Sequence, residues 1–212
     1  FKDAKAYGTL DWGKVDFTQF KANPDQYANV DWGKVDFKAF KDNPDQYKNL
    51  DWGKVDFKDF KDAKAYGTLD WGKVDFTQFK DNPNQYINVD WGKVDFKAFE
   101  SNPDQYKNLD WGEIDYKDLK TAAQYSSIDW GKVDWGELDW EGKNSDAKTI
   151  KWDQVDWSEV PLDDPAVLKS INWKDVNLKD AKDIQVISQE AGVPFTELKL
   201  VGQETGQPFT SS

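Results

Sequence analysis

"DWGKVDF", at residues 11–17, recurs word for word at 31–37, 51–57, 70–76 and 90–96. Looser copies read DWGEIDY at 110–116 and DWGKVDW at 129–135. The first tryptophan of each copy belongs to a series whose steps are 19 to 22 residues long. Catalysis needs a motif once, whereas a period near 20 residues is typical of a solenoid whose units pack on their neighbours. The series is Trp12, Trp32, Trp52, Trp71, Trp91, Trp111, Trp130, Trp152 and Trp173.

A longer period lies over the short one. Residues 1–59 are identical to residues 60–118 at 51 of 59 positions, so three repeats form one superunit. Divergent repeats follow at 119–181, and residues 182–212 leave the pattern. We therefore predict a repeat array over 1–181 and a C-terminal capping helix and tail over 182–212. The capping helix is expected at 183–191 and is ended by Gly192.

Helix-start signals occur three times in each repeat. Asp before an aromatic residue suits an N-cap, and Asn-Pro supplies a cap followed by proline at the first helical position. Leu10 and Val15 fit the two ends of a hydrophobic staple around Asp11. Each repeat is thus predicted to form three short helices at DWGKV, DFKAFK and NPDQYKN, and in the 19-residue repeat one helix could run over 57–66 and end at Gly67. The predicted caps of the first three repeats are Asp11, Asp16, Asn23, Asp31, Asp36, Asn43, Asp51 and Asp56.

Two fold classes fit this spacing. The first is an all-α solenoid of about nine coils of roughly 20 residues, each with two or three very short capped helices. The alternative is a square β-helix, because aromatic steps every five residues resemble the pentapeptide-repeat family. That family places a small residue two positions before its central Leu or Phe, where this chain has Leu10, Val15 or Val30. We therefore favour the α-solenoid, with DWGKVDF of one coil stacked on DWGKVDF of the next.

The tryptophans and the glycines after them are predicted to serve packing. Each Trp of the series lies between aliphatic residues that must face inward, so we predict a structural ladder in which every ring touches its counterparts in adjacent coils. The extra Trp135, Trp140 and Trp157 are expected to be partly exposed, which leaves them as candidates for ligand stacking. Because glycine is a poor helix former, its place after Trp predicts that a ring of a neighbouring coil packs against its backbone.

The composition excludes several kinds of chemistry. The chain has no His, Cys or Arg, so ordinary zinc sites, Ser-His-Asp triads and thiol nucleophiles are ruled out. A formal net charge of −12 argues against nucleic-acid binding, and no apolar run is long enough to insert into a membrane. The 40 acidic residues follow the repeat, without the spacing of an EF-hand or a catalytic carboxylate pair singled out. We expect no enzymatic activity, no cofactor and no metal.

The tandem phrases DWG(K/E)VD(F/Y) and DWSEV resemble repeat arrays in large uncharacterised proteins of marine cyanobacteria. The resemblance covers residues 1–180 and implies a long, repetitive region, extracellular or at the cell surface. We expect a structural segment such as a spacer, filament or adhesin stalk. The alternatives are a repetitive binding surface for glycan, ice or another ordered surface, and a protein-interaction scaffold. The expected partners are neighbouring coils of a longer array, with head-to-tail self-association, while an external ligand is unknown.

Overall fold

The computed structural model describes residues 3–140 and 146–199, and within these ranges every regular element is helical. No strand occurs in the described residues. The prediction of an all-α repeat fold is therefore confirmed, and the β-helix alternative is not supported.

The helices are short and alternate between α and 3-10 geometry. The α-helices are α1 (Ala4–Thr9), α2 (Thr18–Ala22), α3 (Asp45–Asn49), α4 (Ala63–Gly67), α5 (Thr77–Asp81), α6 (Asn84–Asn88), α7 (Asp104–Asn108), α8 (Ala122–Ser126), α9 (Asp146–Thr149), α10 (Pro165–Ser170) and α11 (Ala181–Ala191). The 3-10 helices are Trp12–Lys14, Pro24–Asn29, Trp32–Lys34, Phe37–Asp42, Trp52–Lys54, Phe57–Asp59, Trp71–Lys73, Trp91–Lys93, Phe96–Ser101, Tyr116–Asp118, Trp130–Lys132, Trp135–Glu137, Trp152–Gln154 and Trp157–Glu159. Residues 195–199 are also helical.

Extended residues on both sides keep these helices short. At Trp32–Lys34 the flanking Asp31 (φ −84°, ψ 93°) and Val35 (φ −71°, ψ 127°) are both extended. The turn between them is closed by i→i+3 bonds, from Lys34 N to Asp31 O (3.0 Å) and from Val35 N to Trp32 O (3.3 Å). Trp32, Val35 and Phe37 are all buried, so each short turn delivers inward side chains at alternating steps of three and two residues. Such short helices are stable only through tertiary packing.

The single helix predicted over 57–66 is wrong. The structure has a 3-10 helix at Phe57–Asp59 and a separate helix α4 at Ala63–Gly67. The Asp62 carboxylate accepts from Ala65 N (2.8 Å) and so starts a new helix between them. Gly67 is the last residue of α4 and has no positive φ, which the described residues show only at Gly192.

The chain forms two compact units, Phe1–Asp115 and Tyr116–Ser212. Within the second unit, α11 (Ala181–Ala191) packs on Trp157–Glu159. Helix α11 begins two residues before the predicted range of 183–191 and ends at Gly192 (φ 70°), the residue expected to stop it. Residues 200–212 of the predicted tail lie outside the described residues.

In the first unit, one turn of the packed chain contains more segments than one sequence repeat supplies. We name the three segments of a repeat W (11–15 in the first complete repeat), F (16–22) and Y (23–30). The W segment at Trp12–Lys14 packs on the F segment at Phe37–Asp42. The Y segment at Pro24–Asn29 packs on Trp52–Lys54, and the F segment at Phe57–Asp59 packs on α6. Each partner is the fourth segment along the chain, whereas one repeat supplies three.

This mismatch determines which types of segment stack on each other. Because a turn takes four segments and the sequence repeats after three, a W segment meets an F segment, an F segment meets a Y segment and a Y segment meets a W segment. The interpretation that DWGKVDF stacks on its own copy is therefore wrong. A few fixed, unlike interfaces are reused along the unit, and this accounts for the near-constancy of the phrase.

The second unit follows the same rule despite its divergent sequence. Tyr116–Asp118 packs on α9, α8 packs on Trp152–Gln154, and Trp130–Lys132 packs on Trp157–Glu159. In each pair the partner is again the fourth helix in chain order among the described residues. The packing rule thus outlasts the exact repeat.

Candidate functional site

The most specific chemistry of this chain lies in its aromatic interior. All nine tryptophans of the predicted ladder, Trp12, Trp32, Trp52, Trp71, Trp91, Trp111, Trp130, Trp152 and Trp173, are at most 2 % exposed. Each donates its indole N–H to the carbonyl oxygen five residues earlier, as Trp52 Nε1 does to Tyr47 O at 3.1 Å. A buried indole N–H needs such a partner, so the five-residue step is fixed by hydrogen bonding as well as by packing.

Phenylalanines connect the tryptophans of the first unit. Phe37 stacks on Trp32 (6.3 Å between ring centroids) and on Trp52 (5.8 Å). Phe17 likewise contacts Trp12 (6.4 Å) and Trp32 (6.1 Å). The predicted row of tryptophans, each touching its counterpart in the next coil, is therefore corrected to a mixed row. These ring contacts join segments one and two steps apart along the chain, while the four-segment turn places an F segment, and not another W segment, against each W segment.

Two of the three extra tryptophans are buried in a corresponding aromatic row of the second unit. Trp135 (2 % exposed) and Trp157 (1 %) take the place that phenylalanine has in the first unit, five residues after a tryptophan of the series. They produce direct contacts from Trp130 to Trp135 (5.8 Å) and from Trp152 to Trp157 (5.9 Å). Trp140 is half-buried and stacks on Trp152 at 5.4 Å. The prediction of partial exposure is thus wrong for the first two.

Tyrosine hydroxyls of Y segments bind the backbone of the W segment one turn away, which is the fourth segment further along the chain. Tyr27 Oη accepts from Asp51 N (2.7 Å), Tyr47 Oη from Asp70 N (2.9 Å) and Tyr125 Oη from Lys151 N (2.9 Å). Burial raises the pKa of Tyr27 and of Tyr47 to about 12. The hydroxyls therefore stay protonated across the physiological range. Sequence reasoning did not find this role, although the fixed place of Tyr five residues before Trp signalled it.

Side chains of F segments bind the backbone of W segments in turn. Asp59 Oδ2 accepts from Trp32 N (3.0 Å), Gln78 Oε1 from Trp52 N (2.5 Å) and Glu159 Oε2 from Trp130 N (3.2 Å). Burial raises the pKa of the Asp59 and Glu159 carboxyl groups, and neighbouring acids raise it further. The hydrogen bond from the tryptophan backbone lowers the pKa but does not cancel these effects. The position two residues after the first aromatic residue of an F segment therefore joins one turn to the next.

Replacement of Asp59 separates the hydrogen bond from the charge. Because the folded-state pKa of Asp59 is raised, its contribution to stability is greatest below the ordinary carboxyl pKa and falls as pH rises through the folded pKa. Asp59→Asn keeps an acceptor for Trp32 N without the charge, so we expect a protein at least as stable as the parent at pH 7. Asp59→Ala, which copies Ala39 of the preceding repeat, should cost about 1 kcal/mol. Urea unfolding at pH 7 and pH 5 measures both, and equal losses in the two variants would contradict this account.

Most glycines after tryptophan lie against the backbone of another segment and not against a ring, which holds for Gly13, Gly33, Gly53, Gly72 and Gly131. A Cβ on Gly33 would lie 2.0 Å from the carbonyl oxygen of Asp59, and one on Gly13 would lie 2.4 Å from that of Ala39. The prediction of a small residue at this position is retained, but its reason is corrected. The backbone of the F segment passes directly over the W segment, so no side chain fits between them.

The eight predicted caps divide into two groups. Asp16, Asp36 and Asp56, at the starts of F segments, accept from the backbone N two residues later, at 3.0 to 3.1 Å. The prediction is corrected for the others, which make no side-chain cap. Asp11, Asp31 and Asp51 pair with the lysine three residues on, at 3.0 to 3.8 Å. Asn23 makes no cap bond, and Asn43 donates from Nδ2 to Gly13 O (3.1 Å) across the turns.

Three surface recesses of the first unit have equivalent linings, with volumes of about 520, 680 and 460 Å³. The largest is lined in part by Tyr27, Lys54, Asn82 and Gln85. Two of its polar groups already serve the fold, because Lys54 pairs with Asp51 (3.8 Å) and Asn82 donates from Nδ2 to Gly53 O (2.6 Å). The side-chain oxygen Gln85 Oε1 is buried and has no hydrogen-bond partner among the described residues. The recesses therefore follow from the segment packing.

Within residues 3–140 and 146–199, no three acidic side chains gather as a metal site would require. Nor does the described part of the chain contain a helix that is long and apolar enough to span a membrane. Comparison with known proteins finds no matching family model, no similar curated protein and no similar solved structure.

Proposed function

We propose that this chain is a non-enzymatic structural segment, a spacer, filament or stalk, whose length is set by the number of stacked segments. The observation that carries the proposal is the internal use of every tryptophan. All twelve indole N–H groups, including those of Trp135, Trp140 and Trp157, donate to carbonyls of the same chain. Eleven of the twelve rings are also buried, and the twelfth, Trp140, is half-buried and stacks on Trp152, so the tryptophans are used for internal packing.

The packing rule also supports a spacer over a repetitive binding face. A face that recognises an ordered surface needs the same group on one side at every turn. Here a repeat has three segments and a turn has four, so the same segment type returns to one side only after twelve segments, or four repeats. The Lys-Asp pairs of the W segments, such as Lys14–Asp11 and Lys34–Asp31, therefore wind around the unit. The resemblance to long cyanobacterial repeat arrays agrees with a structural role.

Insertion of a superunit tests this proposal. The chain has no cysteine, so spin labels can be attached at Lys38→Cys and Lys97→Cys, which are exposed equivalents 59 residues apart. Nine segments separate the labels, and four segments make one turn. The labels are therefore about two turns apart, which at about 8–10 Å per turn corresponds to roughly 20 Å. A further copy of residues 60–118 between residues 59 and 60 should extend the separation to roughly 40 Å, measured by pulsed dipolar spectroscopy.

The matched control is an insertion of the same 59 residues in scrambled order, which should give a broad distance distribution and no added helical circular dichroism. A spacer requires the ordered insertion to give a narrow, longer distance. An unchanged distance, or one as broad as that of the scrambled insertion, would sink the proposal.

A further inference from the structure

Helix α11 is fastened to the second unit by both ends and by its middle. The Asp180 carboxylate accepts from Lys182 N (2.8 Å) at its start, and Ile187 in its middle is fully buried against the unit. After the helix ends, Phe195 N donates to Ser188 Oγ (2.9 Å), and the Phe195 ring meets Trp173 edge-on at 6.2 Å. The helix thus covers Trp157–Glu159 and the adjoining end of the aromatic row.

Two acidic residues lie on the docked face of this helix. Asp183 and Glu190 stand four residues before and three residues after Ile187, so the three share one stripe of the helix. One oxygen of each carboxyl group, Asp183 Oδ2 and Glu190 Oε2, is covered from solvent, and among the described residues neither has a hydrogen-bond partner. The rest of each side chain reaches solvent, so both groups can exchange protons.

The charges around these two carboxyl groups are mostly negative. Asp183 is influenced by Asp180 and Lys182 of its own helix, and by Asp153 and Asp156 of the segments beneath. Glu190 is influenced by Asp156 and by Asp163. Burial first, and these acids second, raise the pKa of both carboxyl groups. A covered carboxylate oxygen without a donor favours the neutral form of the group.

We propose that α11 is an acid-strengthened clasp, which docks more tightly on the second unit when Asp183 and Glu190 take up protons. An acid whose folded-state pKa is raised stabilises the docked state fully below its ordinary pKa, and this contribution is lost as pH rises through the folded pKa. As pH falls through the folded-state pKa of each group, its negative charge is removed from the covered face and the clasp tightens. As pH rises through that pKa, the charge returns and opposes docking.

Hydrogen exchange of the α11 amides tests the clasp in the whole chain. Protection factors for residues 184–191, corrected for the intrinsic exchange rate at each pH, should rise several-fold from pH 7 to pH 5. The full rise, reached only below the ordinary carboxyl pKa, is about tenfold for each unit by which the two pKa values together are raised, and the change from pH 7 to pH 5 is one part of it. The double variant Asp183→Asn with Glu190→Gln should show high protection already at pH 7 and little change on acidification.

A control variant removes the same two charges elsewhere. Asp25→Asn with Asp45→Asn changes two exposed acids in the first unit and leaves the docked face of α11 intact. It should keep the parental pH dependence of residues 184–191. If the control flattens that dependence as much as the helix variant does, general charge repulsion is responsible and the clasp is refuted. It is equally refuted if protection in the parent does not change between pH 7 and pH 5.

Discussion

Gly33→Ala is expected to destabilise the protein by about 3 kcal/mol, the upper end of the usual cost of overpacking. The added Cβ would lie 2.0 Å from the carbonyl oxygen of Asp59 and 2.9 Å from its carbonyl carbon. Both are backbone atoms, so relief requires the F segment to move away from the W segment. That movement also weakens the bond from Trp32 N to Asp59 Oδ2. Urea unfolding followed by far-UV circular dichroism measures the loss.

The same substitution at Gly67 should have the opposite sign. A Cβ there meets nothing within 4 Å, and Gly67 lies in α4 without a positive φ. Alanine should therefore stabilise the helix by about 0.5–1 kcal/mol, the ordinary difference between the two residues. Gly136, whose nearest neighbour is Asp134 Oδ1 at 3.3 Å, should fall between the two. Similar effects at Gly33 and Gly67 would show that the close approach of backbones is not what requires glycine.

The glycines show how far sequence reasoning extends for this fold. Their regular place after Trp predicted a steric reason for a small residue, and the structure supplies one. The partner could not be predicted, because the sequence period gives the chemical repeat and not the number of segments that close a turn. That number depends on the angle between consecutive short helices, which is set by extended residues such as Asp31 and Val35 and by the filled aromatic interior. The sequence period therefore predicts one repeat per coil, whereas the structure has four segments in each turn and three in each repeat.

The caps mark a second limit. Asp residues before an aromatic residue occur at the starts of both W and F segments, and their local sequences predict the same role. The difference within W segments is small, because Asp90, with backbone angles close to those of Asp31, does accept from Gly92 N at 3.2 Å. Local sequence and backbone angles are alike at the two residues, so they do not decide whether this bond forms.

Trp52→Ala should cost about 4 kcal/mol, as expected for a large aromatic residue removed from a core. Trp52 is fully buried, and its ring stacks on Phe37 at 5.8 Å and on Tyr47 at 5.9 Å. The substitution empties this place and also leaves Tyr47 O without the indole donor (3.1 Å). Trp12, at 1 % exposed, is as well covered as Trp52, so Trp12→Ala should cost a similar amount. Urea unfolding monitored by circular dichroism avoids the loss of fluorescence in these variants.

Trp52→Phe separates the hydrogen bond from the aromatic packing. Phenylalanine keeps a ring between Phe37 and Tyr47, in the same way that Phe17 and Phe37 stack on Trp12 and Trp32. It cannot donate a hydrogen bond to Tyr47 O. A buried carbonyl left without its donor costs about 1–3 kcal/mol, so the phenylalanine variant should lose less than the alanine variant and still be clearly weaker than the parent. Stability equal to the parent would mean that the five-residue hydrogen bond is dispensable and that ring packing alone selects tryptophan. A loss as large as that of Trp52→Ala would mean that the bond, and not the volume of the ring, holds successive segments in register.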